Sequence, residues 1–186
     1  MLRYPLLCEQ VCGGDLVKKI LLMDEKNYDL NLEEIYRVAV RGIIFMKGKL
    51  LLIQSDSGEV KFPGGGQEEG EDDFQTLIRE TLEETGYHVI PESIHEFGEV
   101  EEKRLSVHEP MIWHQINRYY FCEVKEIQEE CNYTENENKY GFHQVLYTLD
   151  EALRMNEEMI DNEGKHPWNF REFNVLKLLK NTYHCY

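Results

Sequence analysis

The apolar positions along this chain fall into short runs with two different periods. Lys49–Gln54 (KLLLIQ) is an almost unbroken apolar run and predicts a buried strand, and Ser55-Asp56-Ser57-Gly58 predicts the turn after it. Tyr36–Met46 (YRVAVRGIIFM) predicts a second strand, joined to the first by a Lys47-Gly48 turn. Downstream, His88–Ile90 and Ile94–Glu102 read as strands on either side of Pro91-Glu92-Ser93, and Met111–Val124 (MIWHQINRYYFCEV) as a long aromatic strand. Helical spacing marks Asn169–Asn181, where Phe173, Leu176 and Leu179 share a face with Lys180. Glu126–Tyr140 is polar and acidic and predicts a loop or poorly ordered connector. Asp15–Glu25 (DLVKKILLMDE) fits two descriptions. One is a helix with Leu16, Ile20 and Met23 on one side; the other is a strand over Lys19–Met23 paired with the segment after Tyr28. Neither an internal repeat nor a second domain is visible.

The clearest helix signal lies between these strands. Asp72 is placed to cap an N-terminus with Gln75 closing a capping box, and Gly86 to end the helix in a left-handed conformation. At 100° per residue, Phe74, Leu77, Ile78, Thr81 and Leu82 share one face, and Glu80, Glu83 and Glu84 share the other. Like charges so spaced repel by a few tenths of a kcal/mol per exposed pair, as a rough figure. Glu83 and Glu84 also lie in the last turn, where the helix dipole disfavours them. Taken alone, this is a solvated acidic face. A divalent cation would reverse the penalty, and oxygen-only ligands suit Mg²⁺, with Mn²⁺ as a substitute. Arg79, four residues before Glu83, is spaced to hold that carboxylate by an ion pair.

The same segment carries the spacing G-x5-E-x7-R-E-x-x-E-E-x-G, filled by Gly65, Glu71, Arg79, Glu80, Glu83, Glu84 and Gly86. It resembles the Nudix box, the signature of hydrolases that cleave nucleoside diphosphates linked to another moiety. Lys61-Phe62-Pro63-Gly64-Gly65-Gly66 enters it as the strand and Pro-Gly-Gly turn common in that family, and Gly64 and Gly65 would let the backbone approach a substrate. Thr81 and Tyr87 stand where aliphatic residues are more usual, and both can still pack. Phe142–Leu153 (FHQVLYTLDEAL) resembles the strand and helix start found late in such domains. The resemblance, weak beyond the box, extends over residues 36–181 and implies an α/β fold, an α/β/α sandwich around a mixed sheet. For an extension such as residues 1–36 it implies a cover on the core or a homodimer contact.

The resemblance also implies a chemistry. Water attacks a phosphorus of the diphosphate bridge, and cations held by Glu80, Glu83 and Glu84 neutralise the phosphates. Glu71 would add a water-mediated ligand or simply stabilise the helix. Glu80 or Glu83 would be the general base, with Arg79 steadying the set. In other members the base comes from a late loop, which here nominates Glu135 or Glu137, themselves also readable as solvated loop acids.

Composition narrows the partners. A net charge of −16 disfavours a nucleic-acid polymer, because such binding comes mainly from Lys and Arg on phosphates. It is compatible with a small nucleotide whose charge a metal offsets. No apolar run approaches the roughly 20 residues of a membrane span, and the N-terminus lacks a signal-peptide pattern, so a cytoplasmic location is expected. Five unevenly spaced cysteines predict reduced thiols, and Cys8-x3-Cys12, half a zinc site, has no second pair.

Substrate signals are sparser. The proline of ADP-ribose hydrolases is absent, with Glu101 and Glu102 in its region, and Arg104-Leu105-Ser106 stand where dinucleoside polyphosphate hydrolases show a tyrosine. The coenzyme A motif is missing too. What remains is a MutT-like reaction, a nucleoside triphosphate, oxidised or not, cut to monophosphate and pyrophosphate. The alternatives are another nucleotide derivative such as a nucleotide sugar, or a nucleotide-sensing domain without turnover. His166-Pro167-Trp168-Asn169 sits where MutT-like enzymes carry a base-reading asparagine. Asn169 would bond a purine edge while Trp168 or Phe170 stacks on the ring, or Asn169 is an N-cap beside core aromatics. Trp113 and Tyr119 are further pocket or core candidates.

Overall fold

The structure, a computed structural model, describes residues 18–160 and 166–183. In chain order the elements are β1 (Lys19–Asp24), β2 (Glu34–Ile43), β3 (Phe45–Met46), β4 (Lys49–Gln54), β5 (Val60–Lys61), β6 (Gly64–Gly66) and α1 (Asp73–Thr85). Then come β7 (Tyr87–Val89), β8 (His95–Leu105), β9 (Ile112–Phe121), β10 (Val124–Gln128), α2 (Glu135–Lys139), β11 (His143–Tyr147), α3 (Leu149–Ile160) and α4 (Pro167–Tyr183). The main sheet runs β1-β8-β9-β2-β6 and is mixed, with β1 parallel to β8 and β2 parallel to β9. A second sheet runs β11-β4-β3, with β5 on β4, and β10 and β7 form a separate ribbon.

Alternate residues of the central strands feed two cores. Ile43, Leu50, Leu52 and Tyr119 pack with Val175, Leu176 and Leu179 of α4 and Ala152 of α3. Val40, Ile44, Leu51 and Tyr120 pack with Leu77 of α1. The expected α/β sandwich is therefore present, and the unbroken apolar run of β4 follows from burial on both faces.

Helix α1 has the expected ends: Asp72 and Gln75 form the capping box, and Gly86 (φ 70°) closes the C-terminus by donating to Leu82 O. Its faces differ from expectation. Phe74 is exposed, its ring edge-on to Tyr120 at 5.7 Å, whereas Glu80 and Glu84 are buried. Thr81 is fully buried and Tyr87 packs on the α1 core, so both departures from the box are accommodated.

Three other expectations are corrected. Of the two descriptions of the N-terminal segment, Lys19–Asp24 is a strand, but its partner is β8 and not the segment after Tyr28. Alternation buries Leu21 and Met23 together, which a helix would not do. The single strand over Tyr36–Met46 is broken at Ile44, where the chain leaves the main sheet for the second one. Lys47 and Gly48 both have positive φ (52° and 77°), as a tight hairpin turn requires. Finally, Glu126–Tyr140 is not a structureless connector. Its start belongs to β10, and Thr134 and Glu137 form a second capping box at the head of α2.

Cys122 and Cys131 are free thiols, and burial pushes Cys122 up to about 12. Cys8, Cys12, Cys185 and Leu16 lie outside the described residues. Among the described residues no helix is long and apolar enough to cross a membrane.

Candidate active site

The site begins where β6 meets β2. Gly64 (φ 139°) lies so close to Val40 O and Arg41 Cα that a Cβ would overlap both. Arg41 Nη1 donates to Gly64 O (3.0 Å), and Gly64 N donates to Glu84 Oε2 (2.7 Å), pinning the turn at both ends. Gly64→Ala should therefore lower stability by about 2 kcal/mol or more through backbone strain and displacement, read as a fall in urea midpoint. Gly65 is needed for another reason, since a Cβ there would meet the Glu80 carboxylate.

Arg79 gathers the box acids. Its Nε and Nη2 donate to Glu71 (2.6 and 2.8 Å), Nη1 to Glu80 (2.8 Å) and Glu83 (3.2 Å), and Nη2 also to Gly66 O (3.1 Å). The Arg79 hydrogen bonds hold the Glu71 carboxyl down to about 2, helped by Glu68 N and Thr76. Glu80 shifts the opposite way: burial raises its pKa against the pull of Arg79, and the Glu83 charge raises it further.

Glu80 and Glu83 face a cavity of about 570 Å³ with Gly65, Arg79 and Arg37. The far wall comes from the segment before and within α2, including Glu137 but not Glu135. That wall is fastened to the helix, since Asn132 N donates to Glu83 O (2.7 Å) and Tyr133 OH to Glu84 O (2.8 Å).

The other two expected ligands stand elsewhere. Glu84 is fully buried and paired with Lys61 Nζ (2.6 Å), its second oxygen taken by Gly64 N. Lys61 in turn lies over the Phe142 ring at 4.4 Å. Glu71 has both oxygens occupied by Arg79, Thr76 and Glu68 N, contacts that tie the helix start to Arg79. The reason is that α1 packs on its own entry loop, so its acidic side meets protein as well as the cavity. Among the described residues no three His, Cys, Asp or Glu converge as a metal cluster. Two carboxylates with the rest left to water and phosphate nevertheless match how Mg²⁺ is usually held. Glu80, desolvated and beside Glu83, would be relieved by a cation.

A second cavity, about 200 Å³, adjoins the first and shares Arg37 with it. Strand alternation aligns its floor, with Arg37 and Arg41 on β2, Trp113 and Gln115 on β9, and Glu102 and Arg104 on β8, while Trp168 and Arg171 come from α4. Arg104 lies 5.7 Å over the Trp113 ring, and Trp168 is stacked on His166 at 5.4 Å. Beneath, Arg171 binds Glu102 (2.9 Å) and Glu172 (2.9 Å), and Tyr119 OH donates to Glu172 (3.1 Å).

Trp168 and Trp113 thus face a cavity, whereas Phe170 packs on the core and Tyr119 is inside it. Asn169 is corrected: it is fully buried in the first turn of α4, its Nδ2 donating to Asn156 O (3.2 Å), and lines neither cavity. Asn169→Ala should cost about 1–3 kcal/mol of stability, as for a lost buried hydrogen bond, and leave any base preference unchanged in competition assays. Sequence reasoning passed over Arg37, Arg104, Gln115 and Lys61. The available signal was Arg37 and Arg41 recurring at even spacing in an otherwise apolar strand.

The family model described as "NUDIX domain" matches residues 35–166. A Xenopus laevis protein, "Nucleoside diphosphate-linked moiety X motif 6", is 32% identical over 107 residues, which are 55% of this chain and 46% of that protein. The chain thus spans less than half the length of that relative. Among solved structures, a NUDIX hydrolase from Nitrosomonas europaea superposes with a TM-score of 0.54 at 18% identity, covering 81% of this chain and 90% of that one. A structure described as an ADP compounds hydrolase gives a TM-score of 0.50 at 18% identity, covering 78% and 71%. At such identities these two likenesses speak for the fold.

Proposed function

From the premise that this chain belongs to the NUDIX family of hydrolases, which act on nucleoside diphosphate-linked moieties, we propose that it splits the diphosphate bridge of a nucleotide in a divalent-cation-dependent reaction. The observation that carries this is the pairing of Glu80 and Glu83 in one cavity wall under Arg79, with a tryptophan-lined cavity beside it. Mg²⁺, or Mn²⁺ in its place, would be held by Glu80 and Glu83. Bound there, the ion offsets phosphate charge and acidifies water.

The chain's own groups supply the rest. Glu83 is the more accessible carboxylate for taking a proton from water, its side chain 36% exposed against 11% for Glu80 and held by a longer Arg79 contact, whereas burial makes the Glu80 carboxylate more basic. Glu137 faces the same cavity from the α2 segment, which favours it over Glu135 as an auxiliary base. Glu84 and Glu71 act by position: Glu84 fixes the glycine turn, and Glu71 aims Arg79. Trp113 and Trp168 offer flat apolar surface for a base. The substrate so favoured is a nucleoside triphosphate, cut to monophosphate and pyrophosphate in the cytoplasmic nucleotide pool. Nucleotide sugars make the second panel, together with ADP compounds, the substrates named for one structural neighbour.

A pyrophosphate- and phosphate-release assay over both panels with Mg²⁺ tests this. Turnover that disappears with EDTA is the expected result. Nucleotide binding without turnover of any member would instead identify a sensing domain.

A further inference from the structure

Arg37 stands apart from every other arginine around the two cavities. Arg41 is held by Asn117, Phe62 O, Gly64 O and Glu172. Arg79 is taken up by the box acids, Arg104 by Glu102 and Leu105 O, and Arg171 by Glu102 and Glu172. Among the described residues the Arg37 guanidinium makes no hydrogen bond or salt bridge, its attraction to Glu80 acting only at longer range, although the chain carries 36 acidic residues against 20 basic ones. It is also the residue common to the walls of both cavities.

Its place is defined by a neighbour. The guanidinium lies on Gly66, so close that a Cβ at that position would overlap Nη2, Nε and Cζ. Gly66 has no positive φ and is not one of the fixed box positions, so the backbone itself does not demand glycine there. What glycine permits is the close seat of Arg37 against β6, between the acidic cavity and the tryptophans. A planar, unpaired guanidinium at such a junction is suited to two phosphate oxygens at once.

We infer that Arg37 binds the phosphates of the substrate, anchoring the bridge at the junction while the base lies against Trp113 and Trp168 and the scissile end reaches Glu80 and Glu83. This rests on the nucleotide reading proposed above. It makes Arg37 a substrate-binding residue and Gly66 the residue that seats it.

The chain has two tryptophans, Trp113 and Trp168, and both face the smaller cavity, so tryptophan fluorescence reports entry of a ligand there. Titrations of the full chain with adenosine, ADP, guanosine and GDP, in EDTA, separate the phosphate contribution from that of the base without any turnover. At least one diphosphate should bind about tenfold or more tightly than its nucleoside, as one charge-assisted contact allows. Arg37→Ala should remove that advantage while nucleoside affinity stays within about twofold. Gly66→Ala should remove most of it by pushing the guanidinium off its seat, and Arg37→Lys should restore part.

The inference is overturned if no diphosphate advantage exists in the unmodified chain, if the advantage survives Arg37→Ala, or if that variant weakens nucleoside and diphosphate equally. An Arg37-dependent advantage with no turnover of any nucleotide in Mg²⁺ would sustain Arg37 and remove the hydrolase. Turnover with KM and kcat unchanged by Arg37→Ala would sustain the hydrolase and remove Arg37.

Discussion

Glu80→Gln and Glu83→Gln should each lower kcat/KM by about two to three orders of magnitude, the scale of losing one preorganised electrostatic contact at a reacting centre. Both proteins should stay folded, because Gln keeps the volume and accepts a hydrogen bond from Arg79. Glu80→Gln even removes a carboxylate whose charged form burial disfavours. The deficit should persist at saturating Mg²⁺ for Glu83→Gln if that side chain takes the proton, and shrink with added Mg²⁺ for a group that only holds the ion. Steady-state kinetics across a Mg²⁺ series, with urea unfolding as control, read all of this. Full activity in either variant would remove that residue from the site.

The second large effect concerns the other box carboxylate. Lys61→Ala leaves Glu84 buried and facing no cation, a situation that costs about 3–5 kcal/mol. Burial already raises the Glu84 pKa in the intact protein, with Lys61 as the first opposing influence. Without Lys61 the carboxyl rises further. A folded-state value above the unfolded one means the folded chain binds the proton more tightly, so the penalty grows as pH rises through the two values. The deficit of Lys61→Ala should therefore be greatest near neutral pH and fade below the unfolded pKa of about 4.5. Guanidinium or urea midpoints measured from pH 4 to 8 test this. A Lys61→Met, Glu84→Leu double replacement should recover much of the loss, since an apolar pair of similar size often replaces a buried ion pair without penalty. A deficit that does not depend on pH would point to lost packing against Phe142 instead.

These two predictions divide residues that the sequence presents as equivalent. Glu80, Glu83 and Glu84 share a helix face by spacing, and the motif treats them alike. What separates them is the loop 61–66, which takes Glu84 for its own Lys61 and Gly64 N and leaves Glu80 and Glu83 at the cavity. The caps of α1 were legible because they are made within a few residues: Asp72 with Gln75, and Gly86 with Leu82. The box glycines were legible for the same reason. The strand partner of Lys19–Asp24 was not, because β8 lies far along the chain and both parallel and antiparallel partners suit the same alternation. Asn169 was misplaced because an amide near a helix start satisfies a capping and a ligand-binding pattern equally well. Neither holds, because Asn169 lies inside the first turn of α4 and its amide donates to Asn156 O of α3. The Thr134–Glu137 capping box is equally local, but the acidic composition around it hid it.

The parallel ladder between β2 and β9 also sets an order of events during synthesis. β2 emerges early, but its partner follows only after the whole acidic helix and β8 have been made. Glu172, which receives Arg41 beneath the glycine turn, is later still. A ribosome-bound chain ending before α4 therefore has the complete box and lacks the support under it. Non-local pairing of this kind slows folding relative to helical bundles, and it exposes the apolar β4 run until α3 and α4 arrive to cover it.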